Sequence, residues 1–137
     1  MHAHRSLLTT LSATGVAVVA SLASVGAAQP ASAAATCQLD VRSLKALNLN
    51  DNDGADEVRL RLGGDKTPVR TYVLNQKRFN LGTTAFQGTI DVDIVERDNG
   101  QTTTIGSVNN IKCKNKPLTT KDRSGFGAIY RVAYSVH

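Results

Sequence analysis

A single antiparallel β-sandwich, and therefore an all-β fold class, is what this sequence predicts for the chain after residue 33. Apolar and polar residues alternate with a period of two in several short runs, and clusters of Gly, Asn and Asp end these runs. That pattern is typical of strands joined by turns. No stretch after residue 33 keeps a 3.6-residue apolar period for three turns, and strands with one polar face each favour two packed antiparallel sheets.

The predicted strands follow one another with a turn signal after most of them. One run alternates Val58, Leu60 and Leu62 with arginines and stops at Gly63-Gly64, and another stops at Asp98-Asn99-Gly100. With no Trp and only three Phe and three Tyr in the chain, the core is expected to consist of Val, Leu and Ile. We expect six to eight strands in all, among them segments 39–44, 58–62, 69–73, 90–95 and 128–136; segment 105–111 is a further candidate that Gly106 weakens.

Residues 1–33 have the three parts of a secretory signal peptide. A short positive start that includes Arg5 is followed by an uncharged, apolar or small-residue stretch, 7–28, and then by Ala31-Ser32-Ala33. A positive region, an apolar region and an Ala-x-Ala cleavage site are the three features that characterise such peptides. The alternative is a transmembrane helix, but Gln29-Pro30 interrupts the stretch too soon for a good span. We therefore expect a secreted, extracellular protein with one domain, 34–137, and no membrane span.

Size, charge and cysteine content restrict this domain further. Removal of 33 of the 137 residues leaves 104, which is one domain, and loss of Arg5 lowers the formal net charge from +5 to +4. Both cysteines, Cys37 and Cys113, lie in this part, and an exported chain with one pair is expected to join them as a disulfide. Free thiols or a metal site are the alternatives, although two cysteines without histidine do not complete a zinc site.

Several classes of enzyme lack the residues that they need. The predicted domain has one histidine, His137, at the last position of the sequence, where a chain usually frays. A catalytic triad needs an imidazole held by a third group, and no glycine-rich phosphate loop leads from a strand into a helix. A pair of carboxylates of the glycosidase type remains open on composition alone. We expect no enzymatic activity and no nucleic-acid binding.

The most suggestive stretch for chemistry is the acidic segment 51–57, Asp-Asn-Asp-Gly-Ala-Asp-Glu. Oxygen ligands at alternating positions, with a glycine for a sharp bend, suit a hard cation such as calcium. It is not an EF-hand, because Leu62 stands where that loop needs a bidentate glutamate. The alternative is a plain turn in which Asp and Asn cap their own backbone. A second acidic cluster, 96–99, ends a predicted strand and could meet the first at one end of the sandwich.

A basic segment, 112–124, is expected to form a loop before the last strand. It lacks the aromatic interleaving that nucleic-acid binding needs. The alternatives are a solvated loop, and a surface for an acidic protein or an anionic cell-wall polymer. Its candidate partner-binding residues are Lys112, Lys114, Lys116, Lys121 and Arg123.

Three stretches resemble a set of small exported bacterial β-sandwiches, which are related in layout to the calcium/lipid-binding module of protein kinase C. They are LKALNLNDNDGADEVRLRL (44–62), IDVDIVERDNGQTTTIGSV (90–108) and GAIYRVAYSV (127–136). The resemblance implies calcium bound between the acidic loops. Asn99-Gly100-Gln101 stands where a further acidic residue is often found. On matching positions the implied ligands are Asp51, Asp53, Asp56, Glu96 and Asp98.

The chain also resembles the small adaptor subunit of the umbrella toxin particles that filamentous actinobacteria secrete. The common features are a signal peptide, one sandwich with a single disulfide, and no catalytic set. The resemblance implies a bridging role, in which a sheet edge accepts a strand from a partner.

The sequence therefore predicts a secreted, non-catalytic module that binds other secreted proteins in a hetero-oligomer, as an adaptor in a larger extracellular complex. It predicts no obligatory cofactor. The alternatives are a calcium-dependent sandwich that binds a surface or lipid, and a small enzyme or enzyme inhibitor.

Overall fold

The computed structural model describes residues 33–137, so the predicted signal peptide lies outside the described residues except for its last position. The described residues form nine strands and no helix, and therefore no helix that could cross a membrane. The strands are β1 (Thr36–Asn48), β2 (Ala55–Leu62), β3 (Asp65–Lys66), β4 (Arg70–Val73), β5 (Lys77–Gln87), β6 (Thr89–Asp98), β7 (Gln101–Lys112), β8 (Lys116–Gly125) and β9 (Ala128–Val136).

These strands make two antiparallel sheets, which confirms the predicted sandwich. Sheet A has the order β5-β1-β9-β8, and sheet B has the order β3-β2-β6-β7 with β4 also paired to β2. Strand β2 shows why the alternation of apolar and polar residues predicted strands. Its side chains alternate between half-buried and buried positions along all eight residues. One face of each sheet is thereby removed from water, and burial of that apolar face stabilises the sandwich.

Tyrosines contribute to the core, which corrects the expectation of Val, Leu and Ile alone. Tyr72, Tyr130 and Tyr134 are among the largest fully buried side chains, together with aliphatic residues such as Leu39 and Ile94. The rings of Tyr72 and Tyr130 meet edge to face with centroids 5.8 Å apart, an arrangement that aromatic quadrupoles favour. A few large rings therefore fill space that the sequence analysis assigned to smaller aliphatic side chains.

The prediction of a basic loop over 112–124 is wrong for most of its length. Residues Lys116–Gly125 form β8, which pairs with β9 along the edge of sheet A. None of its side chains is fully buried, so it carries no apolar alternation that could reveal a strand. Backbone pairing to β9 is sufficient because an edge strand needs a partner on one side only.

The cysteine pair joins the two sheets. Cys37 lies in β1 of sheet A, Cys113 follows β7 of sheet B, and they form a disulfide with their Cα atoms 5.3 Å apart. The predicted bridge is confirmed, and it links residues 76 positions apart in the chain.

The strand directions bring four connections together at one end of the sandwich. The side-chain amide of Asn48 donates a 2.6 Å hydrogen bond to the carbonyl of Gly127 at this end. We call it the acidic end; its connections are 49–54, 74–76, 99–100 and 126–127. The opposite end, which we call the disulfide end, contains Cys113 and the connections 63–64, 88 and 113–115.

Candidate cation site at the acidic end

The first acidic loop is folded around the carboxylate of Asp56, which is fully buried at the start of β2. One oxygen, Oδ1, accepts hydrogen bonds from the backbone amides of Asn50 and Asp51, each at 3.0 Å. The other, Oδ2, accepts one from the Tyr130 hydroxyl at 2.6 Å and a second from the Asn50 amide at 3.0 Å. A carboxylate has about four acceptor positions, so protein groups satisfy Asp56, and its role is to shape the loop.

Asp53 forms a plain turn. Its Oδ1 accepts a hydrogen bond from the backbone amide of Ala55 at 3.1 Å, which is the Asx turn described above as the alternative to calcium. Gly54 between them has a φ of +92°, a conformation that glycine adopts without steric cost. Asp53 is exposed and lies outside the group of carboxylates that converge.

Glu96 is the unusual carboxylate of this end. It is only 2% exposed. Its Oε2 accepts a 2.6 Å hydrogen bond from the side-chain amide of Asn50, whereas its Oε1 is buried and has no hydrogen-bond partner among the described residues. Burial is the main cause that raises the pKa of Glu96; the Asn50 bond opposes it, and the nearby charges of Asp51, Asp56 and Asp98 add to it.

The remaining acidic groups gather around Glu96. Carboxylate oxygens of Asp51, Asp56 and Glu96 all lie within 4.8 Å of one another. Burial and then the charge of Asp98 raise the pKa of Asp51, so these two carboxylates interact as well. A cavity of about 300 Å³ opens beside them, which we call the acidic cavity; it is lined by Asn50, Glu96, Asp98, Asn99, Gln101 and Thr103.

The structure thus separates the five predicted ligands into groups. Asp51 and Glu96 lie close together, and Asp98 lines the acidic cavity. Asp56 holds the loop in place through its hydrogen bonds, and Asp53 is a turn residue. That any of them binds a metal stays a prediction. Sequence analysis missed Asn50 and Tyr130, whose contacts with Glu96 and Asp56 join residues 46 and 74 positions apart.

Apolar side chains project beside this site. Leu74, in the connection between β4 and β5, is 54% exposed, and Phe126, in the turn between β8 and β9, is 73% exposed. Both connections belong to the acidic end.

The predicted partner-binding residues divide between two regions. Lys112, Lys114 and Lys116 lie at the disulfide end and line one crevice. Lys121 and Arg123 lie farther along β8, opposite Val132 and Tyr130 of β9. The five residues therefore do not form one patch.

The expectation that His137 frays is wrong. Its backbone amide and carbonyl both bond to Gln38 of β1, at 3.0 and 2.9 Å, and its Nε2 lies 3.0 Å from the Ser135 hydroxyl. Within residues 33–137 no carboxylate hydrogen-bonds to this ring, so the third group that a catalytic triad needs is missing there.

No protein-family model matches the chain, and no curated protein matches it either. Among solved structures it is similar to a C2 domain at 13% identity, covering 73% of this chain and 97% of that one, with a TM-score of 0.47. It is also similar to a calcium-bound structure of the two C2 domains of Extended-Synaptotagmin 2, at 10% identity, 74% and 41% coverage, and a TM-score of 0.41. C2 domains are the modules named in the first resemblance. Similarity at this level carries no functional argument, so the site rests on its own geometry.

Proposed function

We propose that this protein is a secreted, non-catalytic module whose acidic end binds calcium and, with calcium bound, attaches to an anionic surface. The observation that carries the proposal is the buried Oε1 of Glu96, which has no hydrogen-bond partner among residues 33–137 in a side chain that lines the acidic cavity. A buried carboxylate oxygen without a partner is costly. A bound cation would supply the missing partner.

The chemistry of the cavity favours a hard cation. Its side chains offer oxygen ligands, and no histidine or cysteine contributes among the described residues. Calcium takes six to eight such oxygens in flexible geometry. We assign the ligand role to Asp51, Glu96 and Asp98, with amide oxygens and water completing the shell. Asp56 positions the loop and is not itself free to bind.

The surface-binding part of the proposal draws on charge and exposure. Without a cation the carboxylates repel an anionic surface, and calcium removes that repulsion. Leu74 and Phe126 are then the apolar side chains available to enter a lipid interface from the same end. Calcium binding and surface attachment are thus two separable steps of one function.

Calcium binding is tested by titration calorimetry on the wild-type domain and on Glu96→Gln and Asp98→Asn. We expect each substitution to weaken calcium affinity at least about tenfold, the equivalent of roughly 1.4 kcal/mol. Asp53→Asn is the matched control, since it removes one charge from the same end of the sandwich at a residue that does not line the cavity. Equal losses in Asp53→Asn, or no heat of binding in the wild type at millimolar calcium, would contradict the assignment.

Surface attachment is tested by sedimentation with phosphatidylserine and phosphatidylcholine vesicles, with calcium or with chelator. We expect calcium-dependent binding to the anionic vesicles only, and its loss in the double variant Leu74→Ser, Phe126→Ser. Leu118→Ser is the control, because Leu118 is 64% exposed but lies on β8 toward the disulfide end. Retention of binding by the double variant would remove the role of the apolar tips.

The adaptor hypothesis is the second candidate. Its specific support is that β5 and β8 are each paired on one side only in sheet A, and a free sheet edge can accept a strand from a partner. Recovery of large co-purifying chains from culture supernatant would favour it over the calcium module.

A further inference from the structure

A crevice of about 370 Å³ lies at the disulfide end, far from the acidic cavity. It is lined by Lys112, Lys114 and Lys116 together with Asn110 and Asn115. The three lysines occupy alternate positions around the β7 to β8 connection. We call this group the lysine crevice.

The backbone around the lysine crevice is fixed on several sides. Cys113 is bonded to Cys37 and also donates a 2.7 Å backbone hydrogen bond to Gly88. The amide of Lys114 donates to the carbonyl of Lys112 at 2.8 Å, which closes a tight turn. The ammonium of Lys116 lies 5.5 Å from the centre of the Tyr134 ring, a cation–π distance. The backbone that carries the three lysines is thus restrained before any ligand arrives.

The charge of the lysine crevice is not compensated by the protein. In the described part of the chain the salt bridges are Arg42–Asp40, Arg61–Asp93 and Arg131–Asp122, all made by arginine. No Asp or Glu occurs from residue 99 to residue 121. The carboxylate opposite this segment, Asp91, accepts a 2.7 Å hydrogen bond from the backbone amide of Asn110. Three like charges in one crevice, none of them in a described salt bridge, repel one another, and an anionic ligand would relieve that repulsion.

We propose that the lysine crevice binds successive phosphate groups of an anionic phosphodiester or polyphosphate chain, independently of calcium. Lysine binds phosphate as a point charge. Three lysines at alternate positions therefore complement an anion whose phosphate groups repeat along a chain. The amides of Asn110 and Asn115 add uncharged donors.

The test measures binding of fluorescently labelled inorganic polyphosphate in the presence of chelator, which removes any contribution of the acidic end. The triple variant Lys112→Gln, Lys114→Gln, Lys116→Gln should bind at least about tenfold more weakly. The triple variant should also show a weaker salt dependence. Its plot of log affinity against log salt should be less steep by about 2, since each phosphate contact contributes roughly 0.7 to the steepness on a single-stranded chain. The matched control is Lys45→Gln, Lys77→Gln, Lys121→Gln, which removes the same charge elsewhere.

Three outcomes would overturn the proposal. The first is no binding of polyphosphate by the wild type, and the second is an equal loss in the control variant, which would show a diffuse effect of net charge. The third is equally tight, equally lysine-dependent binding of poly-glutamate, which would point to an acidic protein as the occupant. Each variant is first checked by its thermal unfolding, and Lys112 and Lys114 are exposed, so the fold should be retained.

Discussion

At the scale of single residues, the acidic end separates carboxylates by what surrounds them. The oxygens of Asp56 accept hydrogen bonds from two backbone amides and a hydroxyl. Glu96 is also buried, but one of its oxygens has no hydrogen-bond partner among the described residues. The same residue type therefore builds the loop in one place and offers a ligand in another. Burial and hydrogen-bond supply, rather than the number of acidic residues, decide which carboxylate is available for a cation.

Glu96 leads to a prediction about pH. Its folded-state pKa is raised above the ordinary 4.5, first by burial, so the folded protein holds this proton more tightly than the unfolded chain does. The stability that the proton contributes is fully present below the ordinary pKa and is lost as pH rises through the raised one. In chelator, the free energy of unfolding of the wild type relative to Glu96→Gln should therefore fall as pH rises from 4 to 7, measured by urea titration. A difference that is constant with pH would contradict the burial of this carboxyl.

At the scale of elements, the strands with a regularly buried face were predictable, and the two edge strands of sheet A, β5 and β8, were not. In β2 and β9 apolar residues recur at every second position, because one face of each strand packs against the other sheet. Strand β5 buries only Leu81 and Phe86, and β8 buries no side chain. One of these strands has its pairing partner far along the chain, and both are paired on one side only. No local apolar pattern therefore reveals either strand.

The same reasoning applies to the site. The acidic segments were visible because their composition is unusual, and two turns at one end of a sandwich are expected to lie close together. The support that Tyr130 gives Asp56, and that Asn50 gives Glu96, depends on contacts between sheets and loops. Neither residue stands out in sequence, since Tyr130 simply continues the alternation of β9.

The two sheets approach closely where β7 meets β8, and this contact is open to test. A Cβ atom added at Gly125 would lie 2.6 Å from the carbonyl oxygen of Ile105, so the backbone of one strand must move. We expect Gly125→Ala to lower the free energy of unfolding by about 1–3 kcal/mol.

Gly64→Ala is the control for this substitution, because nothing lies within 4 Å of the added atom and a residue other than glycine restricts the unfolded chain. Its stability in denaturant should be unchanged or slightly higher. Equal stability of the two variants would mean that β7 and β8 are free to separate.

At the scale of the whole molecule, charge is divided between the acidic end and the rest of the domain. Six of the eleven acidic residues lie at the acidic end: Asp51, Asp53, Asp56, Glu57, Glu96 and Asp98. The remainder of the domain has a large excess of Lys and Arg. The modest net charge is therefore the sum of one acidic region and a basic remainder. Each end is therefore suited to a ligand of opposite charge.

The disulfide should account for a large part of the stability of this small domain. Closing a loop that spans 76 residues restricts the unfolded chain by about 4 kcal/mol in free energy. We expect the double variant Cys37→Ala, Cys113→Ala to lose about this much in urea unfolding. Wild type in strong reductant should unfold at nearly the same urea concentration as the variant. A loss under about 1 kcal/mol would show that the sheets hold together without their covalent link.

The long strands also set a distance. Strand β1 runs thirteen residues from the disulfide end to the acidic end, which at about 3.3 Å per residue is roughly 40 Å. In a domain held on a polymer by its lysines, Leu74 and Phe126 would lie at the opposite end of the sandwich from the attachment point. The length of the strands would then determine the distance between the two surfaces that the domain joins.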